Sequence, residues 1–343
     1  MSDECPDCEN FKAEGSAFCG ACGRPLAGKM SGKRDHGFVG MILLIVCSFV
    51  ILILAFELLT IFVNSLDVFD FLSDKASGFI LIVPFPQRIF SLEGAVLQTY
   101  WIIVIAIISS CAAYALYRFF GAFLSSGDAP KHDAAENTAV FWISVSLSAM
   151  MLISFAVVFI MALFGYEATV PSFGDKTEQM FLLADAAVWE EVITRLLYIG
   201  VPMTLISLAV TGKKESLKCL FGGFGMSTAA AVFIIISGAI FGLAHYPGWE
   251  DQAWKVLTAA IMGIFLGYIF VRFGLYATIL LHFINNYLSS FDWMGIGGFG
   301  IVVSLCLIAA GLAALYYILV RISESKELID TLPIFRNRYT ENR

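Results

Sequence analysis

The chain reads as an all-α polytopic membrane protein with about eight transmembrane helices, preceded by a small cytoplasmic zinc ribbon. Three observations predict this. Of 343 residues, 59% are hydrophobic and only 14% charged, with a mean hydropathy of +0.82, which is outside the range of a soluble domain. Apolar runs recur at the length of about 20 residues that a helix needs to cross hydrocarbon. The N-terminus stands apart, polar and rich in paired cysteines. The net charge of −7 says little about partners, because most of the surface faces lipid, and no nucleic-acid partner is expected.

Residues 1–28 carry Cys5-Pro6-Asp7-Cys8 and Cys19-Gly20-Ala21-Cys22. Two CxxC knuckles at this separation suit a tetrahedral zinc held by four thiolates. Gly20 and Gly23 suit the tight turns that aim backbone amides at sulfur. Four cysteines leave no open position, so this zinc is structural, and the ribbon is a module for a protein partner or for regulation. The alternative, two disulfides, needs an oxidising compartment. Because the first apolar run starts only near Phe38, no signal peptide is expected.

Residues 29–37 form a basic linker, and the transmembrane domain is expected over 38–322. The first span is Phe38 to Val63, with Glu57 near its far end as an interface residue. Asn64 to Gln98 is a mixed connection, and its Phe79–Pro86 run is too short to span and broken by proline. It is expected to be interfacial or re-entrant. The second span is Leu97 to Phe120 and the third Ala139 to Phe164. Glu178 starts a long fourth segment to Val210, interrupted at Pro202. The fifth, Leu217 to Tyr246, is rich in glycine and alanine, which let helices approach closely or mark a bend. The sixth, Trp254 to Val271, spaces Gly263 and Gly267 as packing positions. The seventh is Tyr276 to Phe291 and the eighth Ile296 to Val320, followed by a polar tail over 323–343.

Charge orients these spans. With the N-terminus inside, Lys29, Lys33, Arg34, Arg118, Lys131, Lys213, Lys214, Arg272 and Arg321 fall on the cytoplasmic side. The opposite connections hold mostly acids, among them Asp67, Asp70, Glu167, Glu250 and Asp251. The positive-inside rule therefore predicts a multi-pass protein of the cell membrane with both termini cytoplasmic. That compartment is reducing, in agreement with zinc at the ribbon.

The fourth segment contains Trp189-Glu190-Glu191-Val192-Ile193-Thr194-Arg195. Each charge near a bilayer centre costs about 2.5–3.5 kcal/mol on insertion scales, so such residues face a bundle interior or a wet cavity. On a helix Glu191 and Arg195 pair at i,i+4, while Glu190 points about 100° away and is left without that partner. An unpaired, half-desolvated carboxylate can act as a base. Phe241-Gly242-Leu243-Ala244-His245 ends one later apolar segment, and His282-Phe283-Ile284-Asn285-Asn286 lies within another. His282 and Asn286 share a face and make a donor pair for a developing oxyanion.

The ordered series EExxxR, FxxxH and HxxxN on successive membrane helices resembles the CPBP intramembrane proteases, the CAAX prenyl endopeptidase and bacteriocin-processing group. The resemblance covers Glu178 to Asp292. It implies an endopeptidase that hydrolyses a peptide bond in a membrane protein or lipidated peptide within the bilayer. In the roles it implies, Glu190 is the water-activating base and His245 helps hold the water. His282 and Asn286 form the oxyanion site, and Glu191 and Arg195 complete the first motif. A catalytic metal held by Glu190, His245 and His282 is the alternative chemistry, disfavoured because no HExxH pair is present. Two other classes compete: a transporter or proton relay using the same buried polar groups, and an inactive scaffold displaying the ribbon.

Overall fold

A computed structural model of the protein describes residues 37–82, 86–127, 130–169, 174–211, 214–246 and 252–331. The ribbon cysteines Cys5, Cys8, Cys19 and Cys22 lie outside the described residues, as does the linker up to His36. Residues Val39–Leu315 make one compact unit, which carries every feature of the site. A second unit contains, among the described residues, 37–38 and 316–331, all helical.

The chain is an integral multi-pass membrane protein built almost wholly of helices. Among the described residues, six helices are long and apolar enough to cross a bilayer. These are α1 (Gly37–Val63), α3 (Gly94–Ser125), α5 (Ala139–Leu163), the segment Lys176–Val210, α9 (Ala253–Phe273) and α12 (Gly297–Thr331), the last meeting the criterion as far as Ser323. Shorter helices are α2 (Ser65–Phe71), α4 (Lys131–Glu136), α8 (Thr228–Ala244), α10 (Leu275–Tyr287) and α11 (Ser290–Trp293). The two remaining expected spans are these α8 and α10, of 17 and 13 residues. They rise about 26 and 20 Å, less than a hydrocarbon core of about 30 Å. The fifth is short because Lys214–Phe221 winds as a 3₁₀ turn and Gly222, Gly223 and Gly225 then take φ of +81°, +73° and +89°. That backbone ends a helix at little cost only for glycine. At the other end of the chain, α12 carries the polar tail as helix to Thr331.

Helix α1 separates exposed from buried residues onto two sides, whereas α5 is buried all round from Ala139 to Met150. On α1, Ile45, Leu52 and Leu59 are exposed at a spacing of seven, while Leu43, Val50, Leu54 and Ile61 are buried. Glu57, expected at an interface, is fully buried instead.

The run around Phe79 is neither helix nor re-entrant coil. Strand β1 (Ala76–Ile82) pairs antiparallel with β2 (Pro86–Glu93), from Ala76 opposite Glu93 to Ile82 opposite Pro86. The register shifts between Phe79 and Ile80, so that Ile89 is an extra residue on β2. Phenylalanine and isoleucine favour a half-buried pleat, and Pro86 is tolerated as the first residue of a strand.

The fourth segment has three parts: α6 (Lys176–Glu191), a π-helix at Val192–Gly200, and α7 (Val201–Thr211). Asp175 caps α6, accepting from the amides of Thr177 and Glu178 at 2.9 Å. The wide turns end two residues before Pro202, which supplies no N–H and crowds the preceding carbonyl turn. The interruption expected there is thus a π stretch within a continuous helix. Helices α8 and α9 touch through glycine, as their composition predicts. A Cβ on Gly263 would stand 2.8 Å from the Cα of Gly238, and one on Gly242 would stand 2.5 Å from the Val256 carbonyl oxygen.

Candidate active site

The three motifs meet. Helix α6 ends on Glu190 and Glu191, His245 is the C-terminal cap of α8, and α10 carries His282. Glu190 Oε2 lies 4.0 Å from Nε2 of His245 and 4.0 Å from Nε2 of His282. Glu190 keeps a third of its side chain exposed, but Oε2 itself is shielded and has no hydrogen-bond partner among the described residues.

Glu191 behaves oppositely. It is fully buried and gives each oxygen a partner: Oε2 accepts from Arg195 Nε and Oε1 from His282 Nδ1, both at 3.0 Å. The i,i+4 pair read from the sequence is present, and a second bond to a histidine 91 residues away is added to it. Arg195 is buried too, and its Nη1 donates to Ser237 Oγ at 2.7 Å. Ser237 in turn donates to the Thr194 carbonyl at 2.8 Å. The guanidinium also lies over the Phe241 ring at 5.1 Å.

These bonds fix both imidazoles. A backbone carbonyl only accepts, so His245 Nδ1, 2.7 Å from the Phe241 carbonyl oxygen, carries a proton. His282 Nδ1 likewise donates to the Glu191 carboxylate. Each Nε2 is therefore turned toward Glu190, and in a neutral ring each is an acceptor. Phe241 sits between them, its ring 4.8 Å from that of His245 and 5.8 Å from that of His282. Ser237, Phe241 and His245 follow one another at i,i+4 on α8, so one face meets Arg195, His282 and Glu190 in turn. Ser237 was not singled out in the sequence; its place two turns before His245, facing a buried arginine, is the signal that could have found it.

Asn286 is on the expected helix but is bonded elsewhere. Its Nδ2 donates to the Leu183 carbonyl of α6 at 3.2 Å, which uses one of its two N–H groups and ties α10 to α6. Tyr287 strengthens that tie through its hydroxyl on the Met180 carbonyl at 2.7 Å.

Two more charged groups belong to the surroundings. Lys255 on α9 lies close enough for its charge to act on Glu190 and His245. Asp185, on α6, acts on Glu190 and accepts from the Tyr100 hydroxyl at 2.5 Å. Neither was legible as a site residue, because their approach to Glu190 depends on how helices cross.

Residues 179–288 match the profile of the family described as Type II CAAX prenyl endopeptidase Rce1-like, over about a third of the chain. The matched stretch holds all six site residues and Ser237. No curated protein and no solved structure matches the chain. The similarity is therefore to a class of membrane-embedded proteases, and it resides in the segment that builds this site.

Proposed function

We propose that the protein is an intramembrane endopeptidase of the CAAX type, with Glu190 as the base that activates water. The observation that carries this reading is the pair of 4.0 Å separations between Glu190 Oε2 and the two Nε2 atoms. They are too long for direct hydrogen bonds, and Oε2 has no water-sized space beside it, so in this reading the bridging water enters as the site opens to substrate. Water placed there gives one hydrogen to Glu190 and the other to His245 Nε2, and its oxygen keeps a lone pair for the substrate carbonyl. Glu190 then returns its proton to the leaving amine. His282 donates from Nε2 to the developing oxyanion in its imidazolium form, since Nδ1–H is committed to Glu191, whose negative charge compensates the ring. The second N–H of Asn286 is the further donor in this reading.

The same three donors fit a catalytic metal less well. Bonds of about 2.0–2.2 Å at tetrahedral angles bring neighbouring donors to roughly 3.3 Å. Here the carboxylate oxygen stands 4.0 Å from each nitrogen, and the described residues contain no group of three or more His, Cys, Asp or Glu able to hold an ion. No step is assigned to a metal. The family similarity supports prenylated peptides as substrates, and charge bias supports a cytoplasmic location for both termini. The deciding experiment is turnover of a farnesylated Cys-aliphatic-aliphatic-X peptide by the native chain and by Glu190→Gln in liposomes. Equal turnover by the two removes Glu190 as base and the mechanism with it.

A further inference from the structure

The hairpin has no part in the chemistry above, yet it is fastened to the helix that carries it. Trp189 immediately precedes Glu190, and its Nε1 donates to the Ile80 carbonyl of β1 at 3.0 Å. The indole lies edge-on to Phe79 at 5.0 Å and to Phe90 at 5.8 Å, and those two rings stack across the strands at 4.8 Å. Tyr100 of α3 meets Phe79 edge-on at 5.0 Å. Four rings thus hold one face of the hairpin against α6 and α3. A lone two-stranded hairpin is marginal in water; this one is fixed in place before any partner arrives.

The two strand edges are not alike. Among the described residues the sheet has two strands, and no third pairs with either edge. Exposed edges are usually protected by charge, proline or a bulge. Strand β2 has all three, in Pro86, Arg88, Glu93 and the extra residue Ile89. Strand β1, Ala76-Ser77-Gly78-Phe79-Ile80-Leu81-Ile82, has no charge and no proline. Its Ile80 side chain is 47% exposed. Strand β1 is also the one bonded to the neighbour of Glu190, through its Ile80 carbonyl, so the edge groups left for a further strand are the others of Ala76–Ile82.

We infer that the open edge of β1 receives an extended, apolar segment of the substrate as a third strand, which delivers the scissile bond to Glu190. The inference rests on the hydrolase reading. A peptide bond is attacked by positioned water only where the backbone is extended and accessible. Strand addition supplies main-chain hydrogen bonds without demanding particular side chains, and alternate side chains then set preference. Aliphatic residues on that segment would lie against the exposed Ile80, whereas Gly78 is covered by the guanidinium of Arg88 from the other strand.

The test uses the full chain with Glu190→Gln, so that bound peptide stays whole, and the farnesylated Cys-aliphatic-aliphatic-X peptide extended by several residues. Backbone N-methylation is scanned along the peptide and equilibrium binding is measured at each position. Every second methylation should weaken binding roughly three- to tenfold, and the intervening ones little, as loss of single hydrogen bonds predicts. A photo-crosslinking residue in place of Ser77 on β1 should capture the peptide, and one in place of Gln87 on β2 should not. Losses without a period of two, or capture from Gln87 and not from Ser77, overturn the inference. Neither measurement depends on cleavage, and the scan uses an unaltered hairpin. Turnover of the unmodified peptide by the native chain tests the hydrolase reading separately.

Discussion

Glu190 and Glu191 are consecutive in the chain and occupy opposite settings. Every polar contact of Glu191 is 3.0 Å long and dry: Arg195 on one oxygen and His282 on the other. Glu190 Oε2 has two imidazole nitrogens at 4.0 Å and no hydrogen-bond partner among the described residues. The difference separates holding from reacting. A carboxylate whose lone pairs are all committed stabilises geometry and is a poor base. A carboxylate that faces two oriented imidazoles without bonding to either is free to take a proton, as the proposed mechanism requires. The closed network also orients the open one, since Glu191 sets which nitrogen of His282 faces Glu190.

The largest effect should come from breaking the open side. Glu190→Gln keeps size and removes the proposed base, so turnover should fall roughly 10²–10⁴-fold. Its melting temperature in detergent should stay close to that of the native chain, because Oε2 makes no hydrogen bond for the substitution to remove. Breaking the closed side should reverse the order of symptoms. Glu191→Gln leaves a buried Arg195 without its charge partner, a loss of about 3–5 kcal/mol. Melting temperature should drop first, with activity lost as a consequence. The double variant Glu191→Gln with Arg195→Gln should recover part of that stability, since no lone buried charge remains. If the two single-glutamate variants lose stability equally, the contrast between the sites is wrong.

A smaller effect separates the anchor of the closed network from its charges. Ser237→Ala removes the acceptor for Arg195 Nη1 and the donor to the Thr194 carbonyl. Loss of a hydrogen bond to a charged group predicts about 1.5–3 kcal/mol of destabilisation. Ser237→Thr should restore most of it, because the hydroxyl returns. Equal melting temperatures for Ser237→Ala and the native chain would sink the anchoring role.

How much of this was legible follows from which contacts are local. The Glu191–Arg195 pair and the unpartnered Glu190 are consequences of helical spacing, and both follow from the string EExxxR. The meeting of α6, α8 and α10 was implied by family resemblance, not by spacing. The bond from Glu191 to His282 and that from Asn286 to Leu183 join different helices, so no local pattern encodes them. Apolar length and the prolines of Phe79–Pro86 show that the run does not span and leave open what it forms instead. The alternative question, whether phenylalanine and isoleucine would pair across Pro86, was the one that mattered. Packing and bend are both open for the glycines at 222–225, and Gly222 serves both, with φ of +81° and no room for a Cβ against Phe270 and Gly274, while Gly238 and Gly242 serve packing.

The smallest expected effect concerns the N-terminal cysteines, which test whether the open side works without metal. Cys5, Cys8, Cys19 and Cys22 are proposed to hold one structural zinc, and such sites couple binding to local folding. Chelation of the full chain can therefore destabilise the ribbon without touching Glu190, and a loss of turnover under those conditions is ambiguous. Removing the ribbon resolves it. A chain beginning at Lys29 should contain no stoichiometric zinc, and its turnover of the farnesylated peptide should be the same with and without phenanthroline. The full chain should carry about one zinc by elemental analysis, following the four-thiolate logic. A truncated chain inhibited by phenanthroline and restored by added zinc would transfer the metal to Glu190, His245 and His282. The donors now 4.0 Å apart would then have to close by roughly 0.7 Å to reach tetrahedral spacing.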